Sequence, residues 1–371
     1  MSIIHTADIH LGFRAYSKTD ENGMNIRQAD VFNSFEELID VAINGKHDAI
    51  IISGDLFHNV RPSNGTIAFC MEQMNRLRKE NINVYIIAGN HDMPRSRLGT
   101  SPLEMLKFFG NVVCCDDERI LHTSDNMTVH MIPYRSDYGR LMKDIKQCKN
   151  ERDNDKKNII MLHASVGGFR MLQHDEVVLS DADVNMLTRD FDYVALGHYH
   201  GHWNGGKHED RISYPGSLEK LTFNEKDDVK GYNIIDLDND DINIDFIELD
   251  NVREMVDIPA LDLAETIDPT EDIIQAIENA VDLADKICRL SVVNVPAIYY
   301  HSIDFRRLRK LTKDAVDFEF KFDIDEEELD FDTDDTDFKG TLEEWTDFSD
   351  GRGLTDAVKG LGIEYIKDVE M

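Results

Sequence analysis

Five short pieces of this 371-residue chain carry side chains able to bind metal ions. They read Asp8-Ile9-His10, Gly54-Asp55, Gly89-Asn90-His91-Asp92, Leu162-His163 and Gly197-His198-Tyr199-His200. Seven of their residues, Asp8, His10, Asp55, Asn90, His163, His198 and His200, form a donor set of two Asp, one Asn and four His. With no Cys among them, they suit borderline-hard divalent ions such as manganese, iron or zinc. Seven donors exceed one tetrahedral site but suit two ions about 3.5–4 Å apart that share a carboxylate, the usual clamp for phosphoryl transfer. A lone D-x-H or G-D is weak evidence. Five matching pieces in succession are a strong signal.

Each piece follows a short apolar run: Ile3-Ile4, Ala49 to Ile52, Val84 to Ala88, Ile159 to Leu162 and Tyr193 to Leu196. Such runs, rich in Val and Ile and bounded by Gly or Asn, read as strands buried on both faces. The candidate ligands therefore leave the carboxyl ends of neighbouring strands, where open α/β sheets hold their sites.

In this order, D-x-H, G-D, G-N-H-D, a strand-end His and G-H-x-H resemble the calcineurin-like metallophosphoesterases. The flanking residues Ala7 to Gly12, Ser53 to His58, Arg61-Pro62 and Ala88 to Asp92 are similar to one branch, the double-strand-break repair nucleases of the SbcD family. The likeness holds at motif level over residues 1–220 and is architectural beyond residue 250. It implies an α/β fold: a two-sheet metallophosphoesterase sandwich flanked by helices, a small α/β DNA-capping domain and a C-terminal helical partner-binding segment. It also implies that Asp8, His10 and His200 hold one ion, Asn90, His163 and His198 the other, and that Asp55 bridges them. The implied cofactor is two Mn2+ per subunit.

By the same resemblance His91, adjacent to a ligand but outside the ligand pattern, faces the substrate and stabilises or protonates the departing oxygen. His58 resembles a second substrate-facing histidine, and Asp92 is expected to orient His91 by a hydrogen bond. His5 reads as a support for a ligand. The implied activity is 3′–5′ exonuclease cleavage of double strands and endonuclease cleavage of single strands, in DNA repair. The implied partners are DNA ends, a coiled-coil ATPase resembling SbcC or Rad-fifty, and a second copy of the chain docked through helices within residues 62–109. Two rivals stand beside this reading: a phosphoesterase for small nucleotides or phosphoproteins, and a DNA-end scaffold whose nuclease activity is incidental.

Composition sets outer bounds. Hydrophobic residues make up 41% of the chain, enough for one large domain plus a smaller one. No apolar run approaches the roughly 18 residues of a membrane span. The chain opens directly into a strand, and its five cysteines form neither a zinc spacing nor an even disulfide set, so a cytoplasmic, nucleoid-associated location is expected. The charge is the awkward number. Lys plus Arg total 40 against 73 Asp plus Glu, a net −33, and a uniformly acidic surface repels DNA. The acid is unevenly spread, however. Residues 286–321 carry eight Lys or Arg against four Asp or Glu.

The periodicities divide the chain at 1–250, 251–322, 323–337 and 338–371, which the resemblance implies are a nuclease domain, a small α/β capping domain, an acidic linker and a helical partner-binding segment. In the first, helices carry Phe32, Phe35, Leu38 and Ile39, then Ile67, Cys70, Met71, Met74 and Leu77, then Leu103, Leu106 and Phe109 at helical spacing. Strands are expected at Val112 to Cys115 and Met127 to Pro133, and a hairpin at Tyr232 to Leu249. In the second, Asp268-Pro269 starts one helix, and Ser302 is expected to cap a basic helix whose Arg306, Arg307, Arg309 and Lys310 are candidate DNA-backbone contacts. The bland alternative for these four is pairing with the protein's own carboxylates. The linker holds ten Asp or Glu and no Lys or Arg. Beyond it Trp345, Phe348, Leu354, Val358 and Leu361 form apolar patches expected to bind the ATPase partner.

Overall fold

A computed structural model describes residues 1–94, 99–167, 177–208, 211–237, 242–280 and 282–325, with Trp345, Lys359 and Ile363. The chain runs β1 (Ser2–Thr6), α1 (Ile26–Asn44), β2 (Ala49–Ile52), α2 (Asn64–Lys79), β3 (Asn83–Ile87) and β4 (Val112–Cys115). Then come β5 (Ile120–Thr123), β6 (Met127–Met131), α3 (Tyr138–Asn150), β7 (Lys157–His163), β8 (Ser165–Val166) and β9 (Val178–Leu179). The elements α4 (Asp181–Asp190), β10 (Tyr193–Gly197), β11 (Ile212–Ser213), β12 (Gly231–Asp236) and β13 (Asn243–Glu248) complete the larger part.

Two large sheets form, one ordered β13-β12-β1-β2-β3-β4 and the other β11-β10-β7-β6-β5, beside the short pair β8-β9. Their centres are parallel, β1 beside β2 and β7 beside β10, and the antiparallel hairpin β12–β13 closes one edge. The period of two along each strand sorts its apolar residues. Ile3, Ile51, Tyr85 and Ile87 meet Val129, Met131, Ile159, Met161 and Tyr193 between the sheets. Ile4, Ile50, Ile52 and Ile86 point outward under Phe35 and Leu38 of α1 and Cys70, Met74 and Leu77 of α2. Ile160, Leu162, Val194 and Leu196 pack likewise under Leu141 and Ile145 of α3 and Val184 and Leu187 of α4. The result is the expected helix–sheet–sheet–helix sandwich, and each fully buried Ile or Leu contributes about 1.5–3 kcal/mol.

One expectation needs correction here, and one strand was not anticipated. The apolar stretch with Leu103 and Leu106 is a 3-10 helix, Pro102–Phe108, rather than an α-helix, with Phe109 just past its end. Ser101 caps it by accepting the amide of Leu103, and residues three apart eclipse on a 3-10 turn, which lets Leu103 and Leu106 bury together. The turn at Ser124 joins β6 to an extra strand, β5, whose half-buried and exposed alternation was too weak to read.

The second unit comprises β14 (Met255–Asp262), α5 (Pro269–Glu278), β15 (Ile287–Pro296), α6 (Ala297–Tyr300), α7 (Phe305–Leu311) and β16 (Asp317–Asp325). Its three strands are parallel in the order β14-β15-β16, with Ile273, Ile277 and Leu308 packed on Leu290 and Val292. Asp268 caps α5 as expected. The basic helix α7 is capped by Asp304, not Ser302: the carboxylate accepts the amides of Arg306 and Arg307 at 3.0 and 3.2 Å. A carboxylate suits the positive end of a helix better than a hydroxyl. Ser302 instead donates to the Tyr299 carbonyl at 2.7 Å.

Charged residues clasp this module to the sandwich. Arg253 holds Asp30 through two bonds of 2.6 Å, and buried Arg27 joins Asp30 to Glu219 at 2.5 and 2.6 Å. Lys18 donates to the carbonyls of Asp314 and Ala315. Of the expected partner-binding residues, Phe348, Leu354, Val358 and Leu361 lie outside the described residues, as does most of the acidic linker. The Trp345 indole N–H donates to the Lys359 carbonyl at 3.3 Å.

Candidate metal centre

All seven predicted donors converge where β1, β2, β3, β7 and β10 end. The loops that carry them are stitched to one another by backbone bonds, Asp8 to Gly54 (3.0 Å) and His10 to Asp55 (2.9 Å). Close approach demands glycine at two points. A Cβ on Gly89 would lie 2.1 Å from the Asp55 carboxylate, and one on Gly197 would lie 1.9 Å from the Ser53 carbonyl. Asp8, His10, Asp55 and His198 take positive φ angles of 51°, 54°, 51° and 107°, a region that L-residues rarely occupy. Strain of this kind is characteristic of functional sites.

The donors fall into two groups. His10 Nε2 and His200 Nε2 lie 3.2 Å apart, and Asp8, His10 and His200 offer ligand atoms all within 4.8 Å of one another. On the other side His163 Nε2 and His198 Nδ1 lie 3.1 and 3.2 Å from Asn90 Oδ1 and 3.3 Å from each other. Asp55 stands between: its Oδ2 is 3.8 Å from His10 Nε2 and 3.5 Å from His163 Nε2. Asp8 and Asp55 are also held from behind, accepting the amides of His198 and His91. Hard carboxylate oxygens and imidazole nitrogens in two pockets with a shared carboxylate match a pair of divalent cations.

The electrostatics agree. Burial opposes a charged imidazole at His163, yet Asp55 and Asp8 outweigh it and push its pKa up to about 9. Burial lifts Asp8 above the usual carboxylate range. His10 goes the other way, held well below the ordinary imidazole value by burial, and the neutral imidazole is the form that ligates a metal.

Beneath the donors runs a polar shelf. Buried His5 joins Tyr193 Oη (2.8 Å) and Ser53 Oγ (3.0 Å), while the Ser53 carbonyl accepts His163 Nδ1–H at 2.8 Å. His5 thus supports a predicted donor one residue removed, as expected. Asp92 does not orient His91. It is fully buried and accepts the amides of Leu56, Phe57 and Gly89, stapling the Asp55 loop to the Asn90 loop. His91 is oriented instead by the His58 carbonyl, to which its Nδ1–H donates at 2.8 Å. His58 and His91 line the side of the pocket next to His10, and these three histidines also lie within 4.8 Å of one another.

The sequence reading missed Glu225 and Lys230, which stand behind His200: His200 Nδ1 lies 3.4 Å from Glu225 Oε1, and Lys230 Nζ donates to the other carboxylate oxygen at 2.7 Å. The readable trace was Thr222-Phe223-Asn224-Glu225, which has capping-box spacing and forms one. The four basic residues of α7 are exposed and lie outside the metal pocket, with Arg307 paired to Glu271 at 2.9 Å.

Fold and site together define a metal-dependent phosphoester hydrolase. A family model described as calcineurin-like phosphoesterase matches residues 1–202, more than half of the chain, and the chain belongs to that family. It is 32% identical over 268 residues to the DNA double-strand break repair protein Mre11 of Methanocaldococcus jannaschii, covering 70% of this chain and 69% of that one. To its namesake in Methanococcus maripaludis it is 33% identical over 256 residues (66% and 65%), and to that of Sulfolobus acidocaldarius 29% over 289 residues (75% and 69%). The chain spans about two thirds of the length of these relatives and stands in the archaeal Mre11 branch of the family.

Proposed function

We propose that the chain is a manganese-dependent DNA phosphodiesterase that processes broken ends. The observation that carries the reading is the convergence of seven donors into two groups sharing Asp55, in a chain similar to double-strand break repair proteins. Asp8, His10 and His200 would hold one ion, Asn90, His163 and His198 the second, and Asp55 both. When bound there, two divalent cations supply Lewis acidity and neutralise the phosphodiester oxygens.

The chain's own residues do the rest. Asp8 and Asp55 are fixed by the amides of His198 and His91. His163 keeps its Nδ1 proton on the Ser53 carbonyl, so its Nε2 lone pair faces the pocket. His91 keeps its Nδ1 proton on the His58 carbonyl, so Nε2 is the atom that delivers a proton to the departing oxygen. His58, stacked on His91 with centroids 5.3 Å apart, walls the same side.

Exonuclease action on duplex ends and endonuclease action on single strands follow from the branch the chain resembles. So do the coiled-coil ATPase partner, engaged through the segment around Trp345, and a dimer across α2 and the 3-10 helix. Met71 and Phe108, 38% and 91% exposed, favour that dimer face, whereas Met74 is wholly buried against the sheet. Among the described residues no helix is long and apolar enough to cross a membrane.

The test is hydrolysis of a labelled blunt duplex and a single-stranded circle with Mn2+, Mg2+ or chelator. Cleavage with Mn2+ that chelator abolishes is the expected result. Hydrolysis of mononucleotides or phosphopeptides with both DNA substrates left intact would replace this reading by the small-substrate one. Binding of duplex ends without hydrolysis of any substrate would point to the scaffold.

A further inference from the structure

We propose that Glu225 is a positioning residue for His200, and that the C-terminal module holds Glu225 in place through Arg289 and Phe223. The inference rests on His200 being a metal ligand. Its Nε2 faces His10, so its opposite nitrogen decides how the ring stands. That nitrogen, Nδ1, lies 3.4 Å from Glu225 Oε1 and donates its proton there, leaving the Nε2 lone pair for the pocket.

The carboxylate cannot drift. Glu225 Oε1 also accepts the amide and hydroxyl of Thr222 at 3.2 and 3.0 Å, and Oε2 accepts Lys230 Nζ. Lys230, only 2% exposed, donates in addition to the His200 carbonyl at 2.9 Å and to Ser217 Oγ at 3.1 Å. One ammonium therefore grips both the backbone of His200 and the carboxylate that steers its ring. Burying such a pair is a poor way to stabilise a fold, because desolvation offsets the attraction. It is a good way to fix a ring.

Glu225 ends a 3-10 turn that begins at Phe223. The Arg289 guanidinium sits 4.3 Å above the Phe223 ring, and Met255, Ile287 and Val316 of the module pack against the same ring. Arg289 is anchored within the module by Asp257, through bonds of 2.8 and 2.5 Å. Phe223 and Glu225 belong to one turn and move together. A shift of the module that lifts Arg289 from Phe223 loosens the turn, and with it the orientation of His200. The His163 ring, by contrast, is oriented within the sandwich by the Ser53 carbonyl.

The experiment is calorimetric titration of Mn2+ into chelator-stripped full-length protein, with Co2+ absorption reporting the ligand geometry. The wild type takes up two ions. Glu225→Gln and Arg289→Ala each weaken one ion about tenfold, within the range known for partners of metal-bound histidines, and leave the other unchanged. Arg289→Lys, which keeps a cation over the ring, stays near wild type, and the Glu225→Gln/Arg289→Ala double variant loses no more than Glu225→Gln alone. Wild-type affinities and Co2+ spectra in both single variants would overturn the positioning role. Additive losses in the double variant would overturn the route from the module. A wild-type protein that binds fewer than two ions rejects the dinuclear reading itself, and this inference with it. Should Glu225→Gln fail to fold, Arg289→Ala, in which the carboxylate is intact, decides the matter.

Discussion

His91 and His58 are joined twice: the His91 Nδ1–H donates to the His58 carbonyl at 2.8 Å, and the two rings stack at 26°. The bond fixes one nitrogen of His91 and leaves Nε2 for the substrate. His91→Leu is therefore expected to keep both Mn2+ ions, counted by elemental analysis, and to lose about 10²–10⁴ in turnover. Loss of an ion in that variant would make His91 a ligand, a role that its closeness to His10 and His58 leaves room for.

Acid should weaken the fold through His5. Burial depresses its pKa from the usual 6.5 to about 3, with a bond to the Leu196 backbone opposing only slightly. The folded pKa lies below the unfolded one, so the unfolded chain takes up the proton first. Stability from this group is complete above pH 6.5 and is lost as pH falls toward 3. The slope is at most about 1.4 kcal/mol per pH unit. Urea unfolding of chelator-stripped protein at pH 6.5, 5.5 and 4.5 should show a steeper decline for wild type than for His5→Gln. Parallel curves would remove His5 from the account.

The buried charge cluster gives a stability prediction. Arg27 has no exposed surface and is paired with Asp30 and Glu219. Arg27→Met leaves Glu219 buried without its cation, at a cost of about 3–5 kcal/mol by analogy with other broken buried pairs. Arg76, whose partners Glu36 and Asp40 are half exposed, should cost under about 1 kcal/mol when replaced by Ala. Chemical denaturation of the two variants side by side measures the contrast.

On α7, replacing Arg306, Arg307 and Arg309 together by Ala should weaken duplex binding and lower the slope of log affinity against log salt by about 0.9 for each phosphate no longer neutralised. An unchanged slope returns the helix to the plainer role that the Arg307–Glu271 pair already illustrates.

Much of the sandwich was legible because parallel strands leave an unmistakable trace. Ile50, Ile51 and Ile52 are apolar on both faces because one face meets α1 and α2 and the other meets the second sheet. The donors were legible because each sits at the end of such a run. Less could be read where the decisive partner is distant or is backbone. Asp92 looked like a neighbour's helper, yet its partners are amides 35 and 36 residues away in the Asp55 loop, besides that of Gly89. Glu225 and Lys230 follow His200 by 25 and 30 residues, with no periodicity to link them. At α7 the expected cap, Ser302, is instead taken up by the turn after α6, where it donates to the Tyr299 carbonyl, and the helix starts two residues later under Asp304.

The twisted backbone at Asp8, His10, Asp55 and His198 has an evolutionary corollary. At all four positions glycine would sit more comfortably than the residue present, and glycine has nothing with which to grip an ion. A laboratory selection that rewarded heat tolerance alone would tend to drift these positions toward glycine, keeping the architecture while emptying it of chemistry. The discomfort at these four turns is a standing record that something other than durability is being selected.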